Sequence, residues 1–230
     1  MSSFRGRRKP ESEPKPAPKP GTITDIRPQR RDESRVNIFI DGEFSFGLHM
    51  DIQLDHYLKK GDVLDDQHIT LLLREDETKK AIASALNLIA YRARAAGELA
   101  TKLRERGFPP EAIEAAVARM QELGYLDDRD FADRWVESRQ THRPRSVRML
   151  KQELRQKGVE SEIIESTLDE AGIDEFSDAL RLAEKRLSSL QDLEPQVRDR
   201  RLSGFLARRG YGYDIIRRVL DALQADSHTS

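Results

Sequence analysis

Apolar residues recur along the chain at helical spacing, and one local pattern appears three times. A glycine closes each copy, at Gly107, Gly158 and Gly210, which lie 51 and 52 residues apart. Leucines stand eight and four residues before each glycine, as Leu99 and Leu103 do in the first copy. A constant period of about 50 residues with one local design predicts a tandem helical repeat. Such arrays usually bind along other macromolecules and do not enclose a catalytic pocket.

Each copy is predicted to hold three helices. The middle helix ends at the repeated glycine, because a left-handed C-cap is cheap only for this residue. We therefore predict a mainly α fold of tandem three-helix repeats in a curved array, over residues 77–125, 126–172 and 173–225. Helices of the second and third copies are predicted at residues 128–141, 145–157, 161–171, 174–190, 195–209 and 213–224.

A small β-hairpin unit, residues 21–76, is predicted before the repeats. Residues 36–40 and 43–48 alternate between apolar and polar positions or run apolar, and they flank Asp41-Gly42, a strong signal for a type I′ turn. Two or three strands alone are marginally stable, so this sheet needs helices to pack on. A further strand is predicted at residues 23–26, and short helices at 50–58 and 66–74, with a separate long helix from about residue 76.

Composition narrows the class of protein. Charged residues make up 35% of the 230 residues and aromatic residues 6%, which favours helices with a charged surface. There is no cysteine, so disulfides and thiolate metal sites are excluded. No apolar run approaches the length of about 20 residues that crosses a bilayer, and we expect a cytoplasmic protein without membrane contact. Residues 1–20 are predicted to be a disordered, basic, proline-rich tail, either an arm that touches phosphates or a solubilising tail.

The net charge of −1 hides a segregation of charge along the chain. Residues 41–77 carry ten acids and three bases, whereas residues 139–157 carry seven bases and one acid. Residues 181–218 carry ten bases and five acids. Such segregation permits binding to a polyanion despite the neutral total, although solvated helix faces give the same pattern.

The sharpest basic pattern lies on the middle helix of the second copy, and the middle helix of the third carries a further set of arginines. On the second, four bases fall within about 120° of arc beside the apolar stripe, where they suit phosphates or a partner's carboxylates. The alternative is a solvated face paired with Glu153 and acids of adjacent helices. Tyr211 and Tyr213 are candidates for stacking on a base, or else packing residues. The candidate partner-binding or DNA-binding residues are Arg145, Arg148, Lys151, Arg155, Arg200, Arg201, Arg208 and Arg209.

Catalytic and metal-binding patterns are absent or weak. No glycine-rich phosphate loop and no His-Glu-x-x-His motif occurs. His49, Asp51, Asp55 and His56 lie close in sequence, but no further group of ligands follows them. We therefore expect no cofactor, no metal, no catalytic residue and no enzymatic activity.

Several segments carry a specific resemblance. The most distinctive are Gly-Tyr-Leu-Asp-Asp at residues 124–128 and Phe-Leu-Ala-Arg-Arg-Gly at residues 205–210. Together with residues 35–44, 85–90, 99–108 and 150–159, they resemble the RecX regulatory family over about residues 20–224. The proline-rich tail departs from the common pattern of that family.

The resemblance implies a non-enzymatic regulator of the recombinase RecA, expected to act as a monomer. Family members bind in the groove of the RecA–DNA filament, suppress its ATPase and strand exchange, and limit filament growth, which links them to DNA repair and the SOS response. The alternative is a general single-stranded nucleic-acid-binding protein that acts by competition for DNA. A helix-turn-helix transcription factor is less favoured, because no reading helix stands out.

Overall fold

The computed structural model describes residues 17–227, with side chains up to residue 225. Its chain divides into two compact units between Lys80 and Ala81. The predicted mainly α fold, with three-helix repeats and a small N-terminal sheet, is confirmed. The predicted tail falls mostly outside the described residues. The limits predicted for the individual repeats, and the curvature of the array, stay predictions.

The N-terminal unit is built on an antiparallel sheet with the strand order β3-β2-β1-β4. Asp41 and Gly42, with φ angles of 50° and 89°, form the predicted tight turn between β2 and β3. Strand β4 was not predicted, because two residues are too few to show an alternating pattern. The strands are β1 (Gly21–Pro28), β2 (Arg35–Ile40), β3 (Glu43–His49) and β4 (Val63–Leu64).

Helices cover one face of this sheet unit and enclose its apolar core. Helix α1 is Met50–Asp55, shorter than predicted, and α2 is a continuous helix of 26 residues, Asp66–Tyr91. The prediction of two separate helices within α2 was therefore wrong. At the predicted break, Asp76 is buried at 1% exposure and accepts hydrogen bonds from the Arg35 guanidinium and the His49 backbone N–H.

The C-terminal unit consists of three three-helix repeats. Repeat one combines the end of α2 with α3 (Ala96–Glu105) and α4 (Pro110–Glu122). Repeat two consists of α5 (Asp128–His142), α6 (Val147–Gln156) and α7 (Ser161–Ala171). Repeat three consists of α8 (Glu175–Leu187), α9 (Pro195–Ala207) and α10 (Tyr213–Ser227).

Each repeat encloses its own apolar core around its middle helix. The leucines that precede each repeated glycine are at most 1% exposed, so the period seen in the sequence is the period of the core. The glycines have φ angles of 86°, 78° and 94°, the left-handed conformation expected of a C-cap. These core leucines are Leu99, Leu103, Leu150, Leu154, Leu202 and Leu206.

Candidate partner-binding surface

The end of α9 lies against the start of α6, and we call this contact the second joint. The Ser146 backbone N–H donates to the Arg209 carbonyl oxygen at 3.1 Å. The Arg148 guanidinium donates to the Gly210 carbonyl oxygen at 3.2 Å. A Cβ on Gly210 would lie 2.8 Å from the Cβ of Met149, closer than carbon atoms approach. Glycine is therefore required at position 210 by packing as well as by its left-handed backbone.

The end of α6 lies against the start of α3 in the same way, and we call this contact the first joint. A Cβ on Gly97 would lie 2.6 Å from the Cα of Gly158, so the two backbones touch. Gly158 thus has the same place in the first joint as Gly210 has in the second. Around Gly107, at the end of the first repeat's middle helix, a Cβ would meet nothing within 4 Å. The repeated glycine therefore joins repeats only in the second and third copies.

An acid from the following repeat caps the middle helix at each joint. Asp128, the first residue of α5, accepts a hydrogen bond from the Ala96 backbone N–H at 2.8 Å. Glu175, the first residue of α8, accepts one from the Val147 backbone N–H at 2.7 Å. Carboxylates suit these positions because helix N-termini leave backbone N–H groups without partners. The two joints therefore share one backbone design.

In the first joint, three bases surround one carboxylate. Glu98 is 11% exposed and accepts hydrogen bonds from the Arg94 guanidinium at 2.7 Å, from the Lys157 ammonium at 3.2 Å, and from Arg92. Burial raises the pKa of Glu98, but the hydrogen bonds from Arg92 and Lys157 outweigh burial and hold the pKa below its ordinary value. The first joint is thus an internally paired cluster of charge.

In the second joint, the matching position has no acid. Met149 lies 51 residues after Glu98 and has its place at the start of the middle helix. The basic side chains have been kept, since each base of the first joint has an arginine 51 or 52 residues later in the chain. A cavity of about 180 Å³ here is lined by Arg143, Arg145, Arg208 and Arg209.

One of these four arginines has a carboxylate nearby. The Arg145 Nε lies 3.0 Å from a Glu153 carboxylate oxygen, but it is buried without a hydrogen bond of acceptable geometry. The other three make no ion pair with any residue that the structure describes. Arg143 was not among the predicted residues, because it lies in the loop before the predicted helix.

Arg209 is held in place by an aromatic ring. Its guanidinium carbon lies 3.8 Å from the centre of the Phe205 ring, within the range of a cation–π contact. Burial lowers the pKa of Arg209, and the positive charges of Arg145 and Arg208 lower it further. The lowered pKa of Arg209 thus reflects burial together with the close approach of the guanidinium groups that line this cavity.

A second basic cavity adjoins the second joint. It has a volume of about 420 Å³ and shares Arg208 with the smaller one. Its remaining lining comes from the end of α8 and from α9. These residues are Arg186, Arg200, Arg201, Gly204 and Phe205.

The predicted basic face of repeat two is largely paired within the protein. Lys151 donates a hydrogen bond to Glu165, and Arg155 lies 3.9 Å from the same carboxylate. Arg148 is engaged in the second joint. Helix α6 begins at Val147, so the prediction that Arg145 lies on its helical face was wrong. The helix starts later than predicted because the Ser146 side chain caps it.

The third repeat also differs from the prediction at its helix end. Helix α9 ends at Ala207, so Arg208 and Arg209 follow the helix and turn towards repeat two. Of the two candidate stacking residues, Tyr211 is 3% exposed and belongs to the core, whereas Tyr213 is 81% exposed. Burial raises the pKa of Tyr211, and its hydroxyl is buried without a hydrogen-bond partner in the described structure.

The histidines of the N-terminal unit have structural contacts. His49 caps α1, and the His56 ring lies 2.8 Å from a Glu75 carboxylate oxygen. Among residues 17–225, no group of three or more His, Asp or Glu side chains is placed to hold a metal ion. In the same part of the chain, no helix has the length and apolar character needed to cross a membrane.

Comparison with known proteins assigns these repeats to a family. A model described as "Regulatory protein RecX N-terminal domain" matches residues 21–65. Models for the first, second and third three-helix domains of RecX match residues 81–120, 127–168 and 173–220. A "Regulatory protein RecX" of Bacillus licheniformis is 31% identical over 199 residues, which are 86% of this chain and 76% of the relative. The chain belongs to the RecX family.

Other members and solved structures agree with this assignment. A "Regulatory protein RecX" of Clostridium botulinum is 30% identical and covers 86% of this chain and 94% of its own. A crystal structure of regulatory protein RecX has a TM-score of 0.66 at 24% identity, covering 87% of this chain and 98% of its own. RecX from Lactobacillus salivarius has a TM-score of 0.57 at 23% identity, covering 66% and 99%. These two structures support the fold alone.

The three matched helical domains correspond to the three repeats of this RecX-family chain. The first joint connects the first matched domain with the second, and the second joint connects the second with the third. The relatives are named regulatory proteins. The 180 Å³ cavity therefore lies where the second and third domains of the RecX architecture meet, whereas the 420 Å³ cavity lies within the third.

Proposed function

We propose that this protein regulates the recombinase RecA by binding RecA–DNA filaments. It inhibits their ATPase and strand exchange without catalysing a reaction, and so modulates homologous recombination and DNA repair. Membership of a family of regulatory proteins supports this proposal. A tandem array of helical repeats is suited to binding a filament, because repeat arrays bind along extended partners. The proposal includes a cytoplasmic monomer that needs no cofactor.

The observation that carries the proposal is the surplus of arginine at the second joint and along α9. A RecA–DNA filament presents phosphates and acidic protein surface, and both accept hydrogen bonds from guanidinium groups. Arg200 and Arg201 are exposed and make no ion pair with the described residues. We retain the eight predicted residues as the proposed contact set, with the most weight on the four from repeat three.

The test is the DNA-dependent ATPase of RecA on single-stranded DNA, titrated with this protein below one copy per recombinase subunit. Inhibition that excess DNA does not relieve supports a filament regulator. Inhibition that excess DNA relieves supports the alternative, a single-stranded DNA-binding protein that competes for the lattice. Absence of inhibition contradicts the proposed function.

A charge-reversed pair gives the test a matched control. Arg200→Glu with Arg201→Glu is expected to weaken inhibition by about tenfold or more, because two cationic contacts are lost. Arg134→Glu with Arg217→Glu makes the same change of charge at exposed positions that are paired with Asp130 and Asp221. Equal weakening by the two pairs would show that net charge, and not this surface, governs the effect.

A further inference from the structure

The second joint has the backbone design of the first joint and lacks its central anion. Glu98 holds Arg92, Arg94 and Lys157 together in the first joint. At the second joint Met149 has the place of that acid, while arginines keep the places of the bases. Like charges that line one cavity repel one another unless a counter-charge joins them.

We propose that the second joint binds a phosphodiester of a nucleic-acid backbone, which takes the place that the Glu98 carboxylate has in the first joint. The inference rests on the proposed function only in taking filament DNA as the source of the phosphate. The phosphate oxygens accept hydrogen bonds from the arginines that line the 180 Å³ cavity, namely Arg143, Arg145, Arg208 and Arg209.

The arginines of this cavity are prepared for an anion. Arg209 is oriented by the Phe205 ring, and the buried Arg145 Nε makes no hydrogen bond of acceptable geometry, although a Glu153 carboxylate oxygen lies 3.0 Å away. Guanidinium groups present paired N–H donors whose spacing matches two phosphate oxygens. Little side-chain ordering therefore remains to be done when the phosphate binds.

The neighbouring cavity favours a nucleic acid over an acidic protein segment. Arg208 lines both cavities, so the basic surface continues from the second joint along α9 to Arg186, Arg200 and Arg201. One carboxylate neutralises the three bases of the first joint. The basic surface at the second joint extends further, so a single carboxylate cannot contact all of its arginines. Repeated charges at regular intervals, as along a phosphate backbone, match such a continuous row.

A phosphate in this position connects two repeats. Arg143 and Arg145 belong to repeat two, and Arg208 and Arg209 belong to repeat three. The bound phosphate therefore links the repeats, and a ligand that binds only the folded joint stabilises it by mass action. Binding of nucleic acid and stability of the second joint are expected to rise together.

The first experiment measures binding of a fluorescein-labelled oligodeoxythymidylate by anisotropy over a series of salt concentrations. Arg143→Gln with Arg208→Gln removes two contacts, and the slope of log K against log salt should become shallower by about 1.4. The control pair, Arg134→Gln with Arg217→Gln, removes the same charge from exposed sites in the same two repeats. The control should keep the wild-type slope.

The second experiment restores the missing acid. Met149→Glu should pair with the arginines, weaken oligonucleotide binding by about tenfold or more, and abolish the rise in Tm that the oligonucleotide causes in the wild type. Gln152→Glu adds the same charge at an exposed position of α6 and should keep both binding and the rise in Tm. The arginine variants test the proposal independently if Met149→Glu fails to fold.

Four results would overturn the proposal. Two concern the slope: no change in Arg143→Gln with Arg208→Gln, or an equal change in both arginine pairs. The others are unchanged binding in Met149→Glu and displacement of the oligonucleotide by a poly-glutamate peptide at equal charge concentration. The last would identify the site as one for acidic protein. RecA ATPase inhibition separates this inference from the proposed function. Inhibition together with an unchanged slope in Arg143→Gln, Arg208→Gln contradicts the phosphate site alone, whereas a changed slope without inhibition contradicts the function alone.

Discussion

The two joints of the C-terminal unit share a backbone and differ in charge. In both, a glycine at the end of one middle helix touches the start of the preceding middle helix, and an acid of the next repeat caps that start. The first joint neutralises its bases with Glu98, whereas the second has Met149 there and leaves its arginines without that acid. The close backbone contact is thus the same in both joints. The net charge differs, because Met149 leaves the second joint without a carboxylate at the position of Glu98, where the proposed phosphate would bind.

The largest effect is expected from removing the acid of the first joint. Glu98→Gln leaves Arg94, which is 8% exposed, without its counter-charge. Loss of one partner from a buried ion cluster should lower the free energy of unfolding by about 3 kcal/mol. Urea denaturation followed by circular dichroism and by the fluorescence of Trp135 measures the change.

Glu105→Gln is the matched control for that variant, because Glu105 lies on the same helix and pairs with Lys102 at the surface. The control substitution should lower the free energy of unfolding by less than about 1 kcal/mol. A similar loss in the two variants would show that the Glu98 cluster is not a stabilising centre of the first joint.

The next effect concerns the glycine contact between repeats. Gly158→Ala adds a Cβ 2.6 Å from the Cα of Gly97, whereas Gly107→Ala adds one in open space. Both substitutions strain a left-handed backbone by about 1–2 kcal/mol, and only the first also forces two helices apart. Gly158→Ala should therefore destabilise more than Gly107→Ala, by about 1–3 kcal/mol in urea denaturation. An equal loss of unfolding free energy in Gly158→Ala and Gly107→Ala would contradict the close contact at the first joint.

A smaller effect is expected from pH at the first joint. Because the pKa of Glu98 lies below its ordinary value of 4.5, its contribution to stability is full above that pH and is lost as the pH falls through the lowered pKa. The difference in unfolding free energy between wild type and Glu98→Gln should therefore shrink in acid. A difference that stays constant from pH 7 to pH 3 would contradict this.

The smallest effect is expected at the second joint without ligand. Arg143→Gln relieves repulsion within the arginine cavity, and it should raise the unfolding free energy by about 0.5 kcal/mol at low ionic strength. Because salt screens exposed charges, the gain should fade as salt is added. Differential scanning calorimetry at two salt concentrations measures it, and a loss of stability in this variant would mean that Arg143 has a favourable contact in the free protein.

Much of the fold was predictable because its signals are local. The repeated glycines and the leucines before them follow from helix period and C-cap geometry, and Asp41-Gly42 specifies its turn by backbone conformation alone. The division of α2 into two helices was wrong, because the helix continues unbroken through Asp76, whose side chain is buried. Its partner Arg35 lies 41 residues away in the chain, beyond the reach of local reasoning.

The positive charge of the candidate surface was predictable from the sequence, but the residues that form the surface were not. The basic runs indicated the two repeats that line the arginine cavity, yet Lys151 and Arg155 are paired with Glu165, and Arg143 was missed. A helical wheel places residues around one helix and contains nothing about neighbouring repeats. The cavity arises from a loop of repeat two and the end of α9, which one helix cannot show.

The sequence by itself determined the repeat, its period, the helix ends near each glycine and the unequal distribution of charge, because each depends on residues within a few helical turns. Tertiary structure alone decided which arginines meet, which are neutralised and why Gly158 and Gly210 must lack a side chain. These properties depend on contacts between different elements, from Lys151 with Glu165 on the next helix to Ser146 with Arg209 in the next repeat. The physical reason is that ion pairing and close packing act through distance in space, whatever the separation along the chain.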